Sequence, residues 1–211
     1  MSNMNSKKTP SLSLTVQYAS AAQNLPTRAQ LRRWVKAALR RDATMTLRIV
    51  DDAEGRELNK TYRGKDYATN VLTFVYDEEQ TPDITTSHST RLSAEKLLAG
   101  HPKDDSQVAG YPDFPLCEHP LRGLPAYPTS GEEVLYGDVV ICAPVVEREA
   151  REQGKDLAAH YAHLAIHAAL HLQGYDHEND SDATEMEALE VDVMLKLRYA
   201  NPYQTTRITN G

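Results

Sequence analysis

The pattern of apolar and polar positions predicts four strands along the chain. A side chain on every second position faces the same side of a sheet, so strict alternation indicates a half-buried strand, and β-branched apolar runs indicate a more buried one. The stretch SLSLTVQY alternates in this way, and three later runs are rich in valine, isoleucine and threonine. The predicted strands are Ser11–Tyr18, the run TLRIVDD from Thr46, Asn70–Tyr76 and Tyr136–Cys142.

Helical periodicity fills most of the chain between and after these strands. Residues that favour helix ends support the bounds of five helices. They begin after Thr27 as N-cap, run from Asp52 to Tyr62, from Pro144 to Gly154, from Asp156 to Gln173 with Gly174 as C-cap, and from an Asp182/Glu185 capping pair to Arg198. These elements predict an α/β (α+β) fold, a small mixed four-stranded sheet packed by about five helices.

The segment Asp77–Glu133 differs in composition from the rest of the chain. It holds seven of the eleven prolines, and its eleven acidic and four basic residues give it the whole formal charge of −7. Neither helical nor strand periodicity extends over most of its length. We therefore expect one domain over residues 1–211, with a disordered acidic insert at 77–133 and a short helix possible near Leu92–Leu98.

The charges and apolar runs outside the insert indicate which partners and which compartment to expect. The remaining charges balance, and the stretch Arg28–Lys65 is strongly basic, so a low overall pI is compatible with a nucleic-acid partner. The start of the chain lacks the apolar core of a secretory signal, and no apolar run is long enough to span a membrane. We expect a cytoplasmic protein in which Cys117 and Cys142 are idle or buried thiols.

The stretch HAALHLQGYDH carries the strongest chemical signal in the chain. His167 and His171 are four residues apart on a predicted helix, so their rings project from one face on consecutive turns. Gly174 ends that helix and allows the chain to bring His177 toward the first two rings. Three neutral imidazoles with one open coordination position are typical of a catalytic zinc site.

Two further histidines lie near the same helical face. His160 and His163 could belong to a merely polar stripe, but we expect them to pack in the fold or to support the ligands. A zinc peptidase with the HExxH motif would place its general base directly after the first histidine, and Ala168 occupies that position. The site therefore favours a metal that activates water or polarises an ester or phosphoryl oxygen.

A basic cluster lies just ahead of the third predicted strand. The stretch LNKTYRGKD contains Lys60, Arg63 and Lys65, which we interpret as candidate RNA or phosphate contacts. The planar fork of Arg63 can hold a phosphate through two hydrogen bonds, although such a cluster is often only a solvated turn.

The histidine motif closely resembles that of the YbeY family, usually written HGxLHLxGYDH, with Ala168 at the position where the family usually has glycine. The stretch LNKTYRGKDYATNVLTF resembles the other hallmark of that family. YGDVVIC, EREAREQGK and MEALEVDVMLKLRYANPY are similar too, so the resemblance covers nearly all of the chain outside the insert.

This resemblance implies a zinc-dependent, single-strand-specific endoribonuclease with one Zn²⁺ per chain and a zincin-like metal helix. It implies His167, His171 and His177 as zinc ligands and Arg63 as the functional arginine. The implied process is maturation of ribosomal RNA, notably at the 3′ end of the small-subunit RNA, together with ribosome quality control.

The implied partners are single-stranded ribosomal RNA and the small ribosomal subunit with its proteins or an assembly GTPase, with no membrane and no DNA. Two other functions remain open on the residues alone. One is a ribosome assembly factor whose metal is mainly structural, and the other is a metal-dependent hydrolase of a small substrate.

Overall fold

A computed structural model of the chain describes residues 9–76, 134–175 and 180–204, with the side chain of residue 180 excepted. The predicted disordered insert and its short helix lie outside these ranges. Within them the chain forms four strands and five helices, as predicted. In chain order they are β1 (Leu12–Tyr18), α1 (Arg28–Ala38), β2 (Ala43–Val50), α2 (Asp52–Arg63), β3 (Val71–Tyr76), β4 (Leu135–Cys142), α3 (Ala143–Glu152), α4 (Leu157–His171) and α5 (Asp180–Lys196).

The four strands form one mixed sheet in the order β1-β2-β4-β3. β1 pairs parallel to β2, with Val16 opposite Leu47, and β2 pairs parallel to β4, with Leu47 opposite Val139. β3 pairs antiparallel to β4 at the other edge. The two central strands are buried along most of their length because helices cover both faces of the sheet.

The main core lies on the sheet face that α1, α4 and α5 cover. Trp34, Leu47, Ile141 and Ile166 are fully buried there. Successive β4 residues point to opposite faces, so Val140 and Cys142 instead join a smaller cluster with Leu58 of α2. Cys142 is a buried free thiol, as expected from the sequence.

Side-chain caps form at three helix N-termini, and the one at Thr27 was predicted from the sequence. The Thr27 hydroxyl accepts a hydrogen bond from the backbone N–H of Gln30, and the Gln30 side chain accepts one from the backbone N–H of Thr27, which makes a capping box. Asp51 caps α2 and Asp156 caps α4 through one hydrogen bond each, in which the carboxylate accepts from the backbone N–H three residues later.

Several predicted helix ends are wrong by a few residues: α3 ends at Glu152 and not at Gly154, and α5 ends at Lys196 and not at Arg198. The last helix begins at Asp180, so Asp182 and Glu185 lie inside it and do not form its capping pair. Several residues of cap type follow one another in HENDSDATE, and the pattern could not choose among them.

Two further errors concern the C-termini of α4 and α2. α4 ends at His171 with Leu172 as its C-cap, and Gly174 provides a left-handed residue two positions later, at φ 87°. α2 extends to Arg63, one residue beyond the prediction, and Gly64 ends it in the left-handed conformation. In the described ranges no helix is long and apolar enough to cross a membrane.

At Gly137 the sheet and the C-cap of α4 pack closely together, and this contact can be tested. A Cβ atom at this position would overlap the Leu172 side chain of the α4 C-cap and the backbone carbonyl oxygen of Phe74 on β3. We predict that Gly137→Ala lowers the free energy of unfolding by about 3 kcal/mol or more, measured by chemical denaturation, because the backbone of β3 has to move.

Gly64→Ala is the matched control. Nothing lies within 4 Å of a Cβ there, so only the left-handed backbone opposes the substitution, at roughly 1 kcal/mol. Equal losses in the two variants would contradict the packing described for Gly137.

Candidate metal centre

His167 and His171 bring two imidazole nitrogens together near the C-terminal end of α4. Their Nε2 atoms lie 3.1 Å apart, and the two rings stand nearly perpendicular, at 87°. The spacing of four residues produces this arrangement, because it places both side chains on one helical face. These are two of the three histidines that the sequence predicts as ligands.

The opposite nitrogen of each ring is held by an oxygen acceptor. His171 Nδ1 lies 2.9 Å from the carbonyl oxygen of Tyr175, and His167 Nδ1 lies 2.7 Å from Oε1 of Glu190. A carbonyl oxygen and a carboxylate can only accept, so both Nδ1 atoms carry the proton and donate it. In the neutral rings both Nε2 atoms therefore carry a lone pair.

This assignment places two lone pairs 3.1 Å apart. Two lone pairs at that distance repel each other unless a cation lies between them. Tetrahedral zinc, with Zn–N distances of about 2.0 to 2.1 Å, separates two ligand nitrogens by roughly 3.3 Å. The donor set therefore fits a zinc ion bound by both Nε2 atoms.

The third predicted ligand, His177, lies outside the described residues. Among the residues that are described, no group of three or more histidine, cysteine, aspartate or glutamate side chains could hold a metal. Gly174, with φ 87°, turns the chain directly after α4, and the carbonyl oxygen of the next residue orients His171. His177 as the third ligand therefore stays a prediction.

Glu190 of α5 is a buried carboxylate that sequence reasoning missed. It has no solvent exposure, and it accepts hydrogen bonds from His167 Nδ1, from His163 Nε2 at 2.9 Å and from the Tyr203 hydroxyl. Burial alone raises the pKa of Glu190, but the hydrogen bonds from His163 and His167 outweigh burial and lower that pKa to about 2. Glu190 is therefore an ionised acceptor at neutral pH.

A signal for Glu190 was present in the sequence. It occupies the same stripe of α5 as Met186, Val193 and Met194, which are all buried. A glutamate at an apolar helical position rarely stays fully buried without a partner, so the stripe could have identified it.

A second histidine–carboxylate pair lies one turn toward the start of α4. His160 Nε2 is 2.9 Å from Oε2 of Glu149, and the same carboxylate accepts from the side-chain amide of Asn70 at 3.1 Å. Burial raises the pKa of Glu149, whereas the hydrogen bonds from His160 and Asn70 lower it, and the net result lies below the usual value. This network ties α3 and α4 to the beginning of β3.

A cleft of about 350 Å³ runs from His167 to this second pair. Its walls come from the start of β3 and from α3, α4 and α5. Asn70, Glu149 and Lys155 make one end polar, and His163, His167 and Tyr203 line the other. A cavity of this size is in the range that binds a small ligand.

The predicted basic cluster does not line this cleft. Lys60 and Arg63 belong to the last turn of α2, and Lys65 is exposed just beyond it. The Lys60 ammonium pairs with Asp66 at 3.6 Å. Of the described residues that line the cleft, none belongs to this cluster, although Arg63 is only seven residues from Asn70 along the chain.

The chain is similar to a set of characterised proteins. A family profile described as endoribonuclease YbeY matches residues 13–198. Endoribonuclease YbeY of Nitrosospira multiformis is 49% identical over 197 residues, which is 93% of this chain and 84% of the relative.

Two further relatives and one solved structure complete the comparison. The proteins of the same name from Aromatoleum aromaticum and Thiobacillus denitrificans are 46% and 44% identical. These alignments cover 91% and 93% of this chain and 92% and 99% of the relatives. A solution structure of a Thermotoga maritima protein aligns with a TM-score of 0.43 at 20% identity, over 90% of this chain and 99% of that one.

The buried position of Glu190 generates a stability prediction. In Glu190→Gln the amide NH₂ group would face donors that now bind a carboxylate oxygen, which leaves at least one buried donor unpaired. We predict a loss of about 1 to 3 kcal/mol in the free energy of unfolding, measured by chemical denaturation of the metal-free protein.

Glu185→Gln on the exposed side of the same helix is the matched control. It should change stability by less than about 0.5 kcal/mol. If both variants unfold at the same denaturant concentration as the parent, the network around Glu190 does not stabilise the fold.

Proposed function

Because the chain belongs to the YbeY family of endoribonucleases, we propose that it is a zinc-dependent endoribonuclease that cleaves single-stranded RNA. The observation that carries the proposal is the pair of Nε2 lone pairs on His167 and His171, 3.1 Å apart, with both Nδ1 protons held by acceptors. The names of the relatives support the reaction class, which is hydrolysis of a phosphodiester bond.

His167, His171 and His177 are the proposed zinc ligands. A bound Zn²⁺ lowers the pKa of its water and polarises a phosphoryl oxygen. Glu190 holds His167, and the Tyr175 carbonyl holds His171, so both rings present the same nitrogen without rotating. Carboxylate or carbonyl partners of this kind fix the tautomer of metal-binding histidines and raise their basicity.

The dimensions of the cleft support a single-stranded substrate. A volume of about 350 Å³ next to His167 is in the range that holds a small ligand, which suits an unpaired base better than a duplex, whose bases stay stacked and paired. The polar end at Asn70, Glu149 and Lys155 offers both donors and acceptors to an unpaired base.

Arg63 is the proposed contact to the scissile phosphate. The Arg63 side chain is partly exposed and has no hydrogen-bonded or ion-paired partner among the described residues. Its guanidinium is therefore available to donate hydrogen bonds to a phosphate. Two parallel N–H donors would stabilise the negative charge that develops on the phosphoryl oxygens. Lys65 and Lys60 would contact neighbouring phosphates, and the general base is left unassigned.

The finer biological role follows from the family resemblance. We propose that the substrate is ribosomal RNA, with the 3′ end of the small-subunit RNA as the site of maturation, and that the enzyme takes part in ribosome quality control. The small ribosomal subunit, its proteins or an assembly GTPase would be the partners. The proposed compartment is the cytoplasm.

Comparison of Arg63→Ala with His171→Ala separates chemistry from metal binding. We predict that Arg63→Ala keeps about one zinc per chain and its melting temperature, because a partly exposed side chain without a partner among the described residues contributes little to stability. Its single-turnover cleavage of a single-stranded RNA should fall about a hundredfold to a thousandfold. His171→Ala should lose zinc and cleavage together.

Arg151→Ala, an exposed arginine on α3, is the matched control and should cleave at the parental rate. Full cleavage by Arg63→Ala at saturating RNA would remove Arg63 from the catalytic machinery. Full cleavage by zinc-free protein would overturn the metal-dependent mechanism. RNA binding without any cleavage by the zinc-loaded parent would favour the assembly-factor alternative, in which the metal is mainly structural.

A further inference from the structure

The outer face of α1 is a row of exposed basic side chains, which we call the basic ridge. Its members are Arg28, Arg32, Arg33, Lys36 and Arg40, the last just beyond the helix. Arg28, Arg32 and Lys36 are four residues apart, so they lie one above another along the helix, and Arg40 follows after the extended C-cap Leu39. With a rise of 1.5 Å per residue, the backbone positions of neighbouring members are about 6 Å apart along the axis, and the helical part of the row is about 12 Å long.

The charge of the basic ridge is not neutralised within the described structure. α1 contains no acidic residue, and Arg32, Arg33 and Lys36 have no acidic partner among the described residues. Arg28 lies over the ring of Tyr18, with its guanidinium carbon 5.8 Å from the ring centroid. The ridge is therefore a concentrated positive surface on a chain of net charge −7.

The basic ridge does not serve the stability of α1. Like charges four residues apart destabilise a helix, and a cation in the first turn opposes the helix dipole. The opposite face of α1 already anchors it, because Leu31, Trp34 and Val35 are fully buried. A function outside the fold accounts better for the row.

Hydrogen bonds join the C-terminal end of the basic ridge to the residues that follow α4. The backbone N–H of Arg40 donates to Oε1 of Gln173 at 2.7 Å, and the Arg41 guanidinium donates to the Gln173 carbonyl at 3.3 Å. The Gln173 amide in turn donates to the carbonyl oxygens of Ala38 and Ala169. Gln173 follows His171 by two residues, so the ridge ends where the candidate metal centre begins.

We propose that the basic ridge binds the phosphate backbone of single-stranded RNA beside the segment that enters the cleft. The inference rests on the proposed function, because it assigns a second contact surface to the same substrate. Arginine and lysine side chains bind phosphates whatever the base sequence, and other proteins that bind single strands use a positively charged surface in this way. The ridge thus holds a long RNA near the metal centre, and it takes no part in bond cleavage.

The test compares two double variants in the full-length, zinc-loaded protein. Arg32→Gln with Lys36→Gln removes two charges from the ridge, and Arg148→Gln with Arg151→Gln removes two exposed charges from α3. Binding of a fluorescent RNA of about 20 nucleotides is measured by anisotropy over a salt series. In the ridge variant the slope of log K against log salt should become shallower by about 1.4, two contacts at roughly 0.7 each, and Kd should rise several-fold.

The α3 variant should keep the parental slope and Kd. An RNA of about 5 nucleotides, which cannot cover both surfaces, should bind the parent and the ridge variant equally. Single-turnover cleavage at saturating long RNA should also be equal in the two. An unchanged slope and Kd in the ridge variant would overturn the proposal. An equal loss of affinity for the short and the long RNA would overturn it too.

Failure of the proposed function gives a different result. A parent protein that binds RNA with the predicted ridge dependence but never cleaves it would refute the endoribonuclease function and leave the ridge intact. A parent protein that cleaves RNA and shows no ridge dependence would refute only the ridge.

Discussion

The ionised carboxylate of Glu190, buried between α4 and α5, is the interaction on which the candidate metal centre depends. Its two oxygens accept from His163 and His167, and the Tyr203 hydroxyl also donates to it. A buried carboxylate is costly unless it is fully hydrogen-bonded, and these donors meet that requirement. The same contacts fix the His167 ring and hold α5 against α4.

α4 connects this centre to the rest of the fold. It packs against α1, α3 and α5 and approaches the sheet so closely at Leu172 that only glycine fits at residue 137 of β4. Such tight packing limits movement of the helix that carries His167 and His171. The small sheet and its helices therefore act as a rigid support, and the chemistry is concentrated at one helix end, with the cleft on one side and the basic ridge of α1 joined through Gln173.

Much of this arrangement could be predicted from local sequence. Alternation located the first strand, β-branched apolar runs located the other three, and spacing alone placed His167 and His171 on one helical face. Long-range contacts were harder, because Glu190 lies 23 residues from His167 and its role depends on how α5 packs. The basic cluster shows the same limit, because adjacency to β3 in sequence did not bring Arg63 into the cleft.

The central claim is that both histidine rings carry their proton on Nδ1 and offer Nε2 to one metal ion. Two-dimensional ¹H–¹⁵N spectra of the histidine rings, recorded at mildly alkaline pH before and after addition of zinc, test it most directly. We predict the Nδ1–H tautomer for His167 and His171, and a shift of both Nε2 resonances at about one equivalent of zinc with both Nδ1 protons retained. A proton on Nε2 of either neutral ring, or zinc-induced shifts confined to the Nδ1 atoms, would contradict the account.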